Sequence, residues 1–174
     1  LALSDQRSAT AEKIGAANTL VIDANGKINA DNTDGHGFIA NLRSHCKYWA
    51  PEAGPALVLG AGGASRAILV ALLEAGAPKI YLSNRTQQRA LDVASQLSPL
   101  IEVISWDHKE KYLTKIVTLV NTTSLGMTGK PPLKINISKI NSATLVSDIV
   151  YAPIETHLLT QAKTLGCTVV GGIG

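Results

Sequence analysis

The sequence predicts a doubly wound α/β fold, a parallel sheet with helices on both faces, on three observations. Short apolar strands alternate with amphipathic helices from Ala56 onward. The first strand-to-helix turn is glycine-rich, "GAGGAS" (60–65). Hydrophobic residues make up 45% of the chain but aromatic ones only 4%, the balance of an Ala/Val/Leu/Ile-rich α/β protein rather than an aromatic-rich binding sheet.

The chain opens in what reads as helix, with Leu1, Leu3, Ala9 and Ala11 spaced among polar residues. "NTLVID" and "KINA", within 16–30, flank Asn25-Gly26, the strongest short hairpin signal. Asp34 stands where an N-cap belongs, ahead of "GHGFIANLRSH" with Phe38, Ile39 and Leu42 on one helical face. "APEAGP" (50–55) reads as a linker. "ALVLG" (56–60) is apolar throughout, as strands buried on both faces of a sheet are. The helix "GASRAILVALLEAG" follows, closed by Gly76. Next come the strand "KIYLS" (79–83) and the helix "QQRALDVASQL", capped by Thr86. Two more strands are "IEVIS" (101–105) and "KIVTLVN" (115–121), the second running into the loop "TTSLGMTGKPP". "TLVSDIVY" (144–151) is a fifth strand, "IETHLLTQAKTLG" a helix ended by Gly166, and "CTVVG" a sixth strand. A start inside a helix and a close on the turn of "VVGGIG" read as the ends of a fragment.

At 174 residues the chain holds one full domain and a piece of a second. Its net charge is +3 with the lysines scattered, which fits an anionic small ligand and gives no nucleic-acid footprint. Cys46 and Cys167 form no C-x-x-C pair, so neither a disulfide framework nor a zinc site is expected. His36, His45, His108 and His157 share no motif and read as surface or packing residues. No apolar run reaches membrane-spanning length and no signal peptide is evident, so the expectation is a soluble, cytoplasmic protein without a membrane or nucleic-acid partner.

The position of "GAGGAS" between a strand and its helix lifts a weak glycine pattern to a strong one. Gly60 permits the tight turn, Gly62 lets the backbone approach a pyrophosphate, and Ser65 is small enough for close helix-strand packing. The helix start offers free N–H groups and a positive dipole end to phosphate. An NAD-binding protein should show Asp or Glu near the end of the second strand, for the ribose 2′-hydroxyl. No acid lies between Ala75 and Ala90; instead Arg85 and Arg89 flank that spot, with Asn84 and Thr86 as neutral donors. Two guanidiniums suit a 2′-phosphate, so the cofactor expected is NADP.

"GAANTL" (15–20), "DNTDG" (31–35), "LGAGGASRA" (59–67), "SNRTQQRA" (83–90), "VNTTSLGM" (120–127) and "SDIVYAP" (147–153) together resemble shikimate dehydrogenase in order and spacing. The resemblance covers nearly the whole chain. It implies an oxidoreductase of aromatic amino acid biosynthesis, in the chorismate pathway, that reversibly reduces 3-dehydroshikimate to shikimate with NADP and needs no metal. Residues 1–34 would be a remnant of the substrate-binding domain, and 35–174 a C-terminally truncated, Rossmann-like NADP-binding domain. Asp34 would be the catalytic aspartate, and Asn18, Asp34 and Tyr151 would meet substrate. The pyrophosphate would lie on Gly60, Ala61, Gly62, Gly63 and Ala64, and the adenosine phosphate on Asn84, Arg85, Thr86 and Arg89. Thr122, Thr123 and Ser124 would line the cofactor groove, with Ile149 and Gly172 beside the nicotinamide.

Asp31 is assigned to structure. A carboxylate in Asp34's position is more often a cap than a catalyst, and both roles can coexist. The family's lysine partner lies in a motif resembling "N-V-T-x-P-x-K", which is not in these 174 residues and by spacing falls just upstream of Leu1; Lys13 matches no family position. A substrate-holding glutamine is expected after Gly174. The fragment is therefore expected to bind NADP and to be inactive alone. Alternatives are a non-catalytic NADP-binding sensor and a quinate/shikimate dehydrogenase, and a homodimer is left open.

Overall fold

The computed structural model describes residues 1 and 3–173. Two sheets are present. The smaller is built from β1 (Gln6–Arg7), β2 (Thr19–Ile22) and β3 (Ile28–Asp31) in the order β1-β3-β2, with α1 (Ala9–Ile14) between its first two strands. β2 and β3 pair antiparallel around the Asn25-Gly26 turn, where Gly26 takes φ +79°. The expected opening helix is shorter and begins later than its apolar spacing suggested. Gln6–Arg7 is strand, paired parallel to β3, because the Asp5 carboxylate accepts the Ile28 N–H at 2.7 Å and draws the chain to the sheet edge. Ser8 then caps α1, its Oγ accepting from the Ala11 N–H at 3.0 Å.

α2 (Asp34–His45) leads from the small sheet to the large one. Its N-cap is Thr33, and Asp34 is the first helical residue, a correction to the capping role expected from sequence. The Asp34 N–H is already satisfied by Asn32 Oδ1 at 3.1 Å, which leaves the Asp34 carboxylate free of capping. The linker contains a short 3-10 turn, Pro51–Ala53.

The larger sheet alternates strand and helix in the order expected: β4 (Ala56–Leu59), α3 (Gly63–Glu74), β5 (Ile80–Ser83), α4 (Gln87–Leu97), β6 (Ile101–Ile104), β7 (Thr118–Asn121), β8 (Leu145–Asp148), α5 (His157–Thr164) and β9 (Thr168–Val170). All pairs are parallel, in the order β6-β5-β4-β7-β8-β9. Strands β4, β5, β7 and β8 are buried along their whole length, and β4 accordingly reads as a continuous apolar run. Alternate residues feed two cores: Leu57 and Leu59 face α5, while Ala56 and Val58 face α3 and α4. Gly76 and Gly166 each follow a helix end at positive φ, and the Ala77 N–H reaches back to Leu72 O at 3.0 Å, satisfying an orphan carbonyl of α3. The 3-10 turn Trp106–Tyr112 after β6 had no sequence signal. Among the described residues no helix is long and apolar enough to cross a membrane.

The strand order runs outward in two directions from between β4 and β7. That reversal opens a crevice beyond the carboxyl ends of these strands, the usual ligand position in such sheets. α2 packs on α3 and β9, and Arg66 of α3 donates through Nε to the Ile14 carbonyl, so the small sheet is tied to the same end.

Candidate active site

β4 ends in the glycine loop. Gly60 has φ +110°, and a Cβ there would sit 2.6 Å from Thr122 Oγ1, so conformation and space both demand glycine. Thr122 in turn donates to Leu59 O at 2.8 Å, locking the loop after β7 to the loop after β4. Gly62 is the N-cap of α3 and carries no side-chain cap, so the helix start keeps free N–H groups. Ser65 does more than its small size promised: fully buried, it donates to Gly62 O at 2.6 Å and sets the loop's entry into the helix.

On one side of this loop lies a cavity of about 240 Å³, lined by Gly60 to Gly62, Asn84, Arg85, Arg89, Trp106 and Thr122 to Leu125. Asn84 is a brace as well as a wall: its Oδ1 accepts the Ala61 N–H at 3.2 Å and its Nδ2 donates to Thr86 O at 2.8 Å. Thr86 is the N-cap of α4 and does not line the cavity. Arg85 and Arg89 are exposed, and among the described residues neither forms an ion pair.

A second cavity of about 250 Å³ borders the start of α3, where Asp34, Asn41, Ala64, Ser147, Ile149 and Gly172 meet. Gly172 abuts the backbone after β8, where a Cβ would lie 2.3 Å from Ile149 O. Asn18 Nδ2 donates to Asp34 Oδ1 at 2.6 Å, and Asn18 Oδ1 accepts the Thr33 N–H at 3.0 Å. Asn18 and Asp34, each named from sequence as a substrate contact, are thus bonded to one another. Tyr151 is 61% exposed and lines neither cavity. Lys13 is bound to Glu74 at 2.7 Å. Asp31 belongs to the small sheet: the Ser8 hydroxyl and the Asn32 N–H both donate to it, and the Ser8 bond foremost lowers its pKa.

The residues present fit a dinucleotide. Beyond the chain neighbours and the helix's own backbone, nothing among the described residues lies within 4 Å of a Cβ built on Gly62 or Gly63, an open cradle at a helix start. Asn41, which sequence reasoning missed, lines the second cavity and donates to Gly171 O at 3.1 Å, while its Oδ1 is buried with no partner among the described residues.

A second group missed from sequence is the strut behind both loops. Asp148 is 1% exposed; its Oδ1 accepts from Asn121 Nδ2 at 2.9 Å and the Val150 N–H at 3.1 Å, and its Oδ2 accepts from the Thr156 hydroxyl at 2.7 Å. Asn121 Oδ1 accepts from the Thr123 N–H and hydroxyl, at 3.1 and 2.8 Å, which ties the cofactor-side loop to the strut. Burial raises the Asp148 pKa against the lowering pull of its three donors. The folded chain therefore holds this proton more tightly than the unfolded chain. The group's contribution to stability is present below the ordinary carboxylate pKa and is lost as pH rises through the raised one. Asp148→Asn should thus compare better with wild type at about pH 7 than at about pH 4, read as the gap in Tm between the two proteins. A gap that widened toward neutral pH would contradict this.

A sequence profile of the shikimate / quinate 5-dehydrogenase family matches residues 51–151. The shikimate dehydrogenase (NADP(+)) of Paracoccus denitrificans (strain Pd 1222) is 48% identical over 174 residues, all of this chain and 62% of that relative. Quinate dehydrogenase from Corynebacterium glutamicum, solved in complex with NAD, superposes with a TM-score of 0.92 at 30% identity, over 99% of this chain and 62% of that one. Shikimate dehydrogenase from Aquifex aeolicus gives 0.87 at 39% identity, over 99% and 61%. The chain thus spans about three fifths of the length of its curated relatives. With the glycine loop, the arginine turn and the Asn18–Asp34 pair all in place, the chain belongs to the shikimate / quinate 5-dehydrogenase family.

Proposed function

We propose that this chain carries the cofactor site and part of the substrate site of an NADP-dependent shikimate dehydrogenase, which interconverts 3-dehydroshikimate and shikimate. Residues 1–34 are the remnant of the substrate domain and 35–174 the NADP domain in this reading. The observation that carries it is two cavities along one loop-to-helix turn, one lined by Gly60 to Gly62 with Arg85 and Arg89, the other by Ala64 with Asp34, Ile149 and Gly172. A dinucleotide laid across the loop has its adenosine phosphate at the arginines and its nicotinamide beside Asp34. The Paracoccus relative, by name an NADP(+) enzyme, supports the choice of cofactor.

Bound NADP supplies the two-electron chemistry. The chain's residues do the rest. Gly62 and the start of α3 receive the pyrophosphate, and the Gly172–Ile149 contact shapes the nicotinamide end. Asn18 and Asp34, 2.6 Å apart, offer a donor and an acceptor to substrate hydroxyls. A ketone becoming an alcohol needs a proton at its oxygen, and Asp34 is the acid poised to orient the group that gives it. A non-catalytic sensor would have no use for this pair.

The cofactor reading is tested by calorimetric titration of the chain with NADP+ and NAD+. NADP+ should bind in clear preference, because two unpaired arginines and no carboxylate stand at the end of β5. Arg85→Ala with Arg89→Ala should erase most of that preference, since each charge-assisted contact contributes about 1.5–3 kcal/mol. Equal affinities in wild type would point instead to an NAD-linked quinate enzyme.

A further inference from the structure

Trp106 is the one aromatic side chain among the described residues lining the arginine cavity. It opens the 3-10 turn just past β6, two strands along from the glycine loop, and it is only partly buried against the core. One turn later comes Lys109, 5% exposed, with no ion pair among the described residues. Its ammonium lies 4.4 Å from the centroid of the Trp106 ring and donates to Trp106 O at 3.0 Å. A buried cation without a carboxylate needs other partners, and the indole with its own carbonyl supplies them. The cation and the ring hold each other, so the indole is fixed in one orientation. With one face given to the ammonium, the ring's remaining surface is what it can present to the cavity.

We infer that Trp106 is the wall against which the adenine ring of the dinucleotide packs, held in position by Lys109. This rests on the nucleotide-binding reading above. The arginines at the end of β5 fix where the ribose phosphate sits, and the base joined to that ribose lies within the same cavity. Its other walls are guanidinium, amide, hydroxyl and backbone, with the small aliphatic surfaces of Ala61 and Leu125, so the indole is the one aromatic face on which a purine gains by stacking. The cavity then divides its work. Arg85 and Arg89 read the 2′-phosphate, which only NADP carries, and Trp106 reads the adenine, which NADP, NAD and AMP share.

The test uses 2′,5′-ADP and 5′-AMP, which lack the nicotinamide half. The chain has two tryptophans, and Trp49 donates through Nε1 to Thr118 away from the cavity, so Trp49→Phe leaves Trp106 as the sole indole. Both nucleotides should then change Trp106 fluorescence saturably. Trp106→Leu, which keeps apolar bulk against the core, should weaken both by the same factor, about tenfold. Arg85→Ala with Arg89→Ala should weaken 2′,5′-ADP alone. Lys109→Met should weaken both nucleotides by a smaller common factor. Saturable 2′,5′-ADP binding, seen by calorimetry, with Trp106 fluorescence unchanged would overturn the inference, and that measurement leaves Trp106 itself intact. So would a Trp106→Leu protein, folded by circular dichroism, that binds both within twofold of wild type. If 2′,5′-ADP does not bind wild type at all, the nucleotide reading fails first and this inference with it.

Discussion

Asp34→Ala should lower kcat by about 10²–10⁴-fold, the range for loss of a proton-transfer function, while leaving NADP affinity nearly unchanged. The protein to measure is a chimera in which these 174 residues replace the matching stretch of the Paracoccus relative. Asp34 lines the cavity that holds Ile149 and Gly172, with Asn18 as its partner, and it is not among the residues lining the arginine cavity. Asp31→Ala is the control within the same motif. Its carboxylate serves Ser8 and the Asn32 N–H, so turnover should stay close to wild type. Because that pKa is lowered in the fold, any stability Asp31 adds is present above the ordinary carboxylate pKa and is lost as pH falls through the lowered one. Were Asp31→Ala the slower enzyme, the catalytic role would belong to the first aspartate of "DNTDG".

The 174-residue chain assayed by itself should bind NADP and turn over shikimate at background. The six-stranded sheet that carries the cofactor groups has its own two-sided core. The substrate side is thinner. Among the described residues, the polar contacts of the Asp34 carboxylate come down to Asn18, and the ammonium of Lys13 is engaged by Glu74. Loss of a proton donor alone costs about 10²–10⁴-fold, and poor alignment of substrate adds several kcal/mol to the barrier, of the roughly 7–11 that positioning can supply. NADPH formation from shikimate, followed at high protein concentration, is the measurement. Turnover within tenfold of the chimera would show that the chain completes its own proton path, with Lys13→Met the next variant to make.

The nucleotide half of the site was legible in sequence because its signals are local. "ALVLG" has no polar face to mislead, and the glycines of 60–63 sit directly between a strand and a helix. The arginine turn was legible from the lack of any acid between Ala75 and Ala90. The opening residues were misread because Leu3, counted toward a helical face, is 91% exposed, and a two-residue strand such as β1 has no periodicity to detect. Asp34 was read as a cap because Asn32, Thr33 and Asp34 are all capping types, and only the Asn32 Oδ1 bond shows which one serves the helix. The Asn121–Asp148 strut was invisible for a different reason. Its two members are 27 positions apart and meet only through the register of β7 on β8. Trp106 was hidden likewise, since "ISWDHKE" does not announce that its aromatic ring borders a cavity shared with the arginines.

The glycine loop also divides into positions that can and cannot be engineered. At Gly60 any side chain would drive against Thr122 and Thr123, and at Gly172 against the Ile149 carbonyl, so a library there would mix damage to the scaffold with changes in ligand preference. At Gly62 and Gly63 the space beyond Cα holds, apart from chain neighbours and the helix backbone, nothing among the described residues within 4 Å. A side chain at either site would instead project into the room the pyrophosphate needs, so substitution there should weaken the guest while sparing the host.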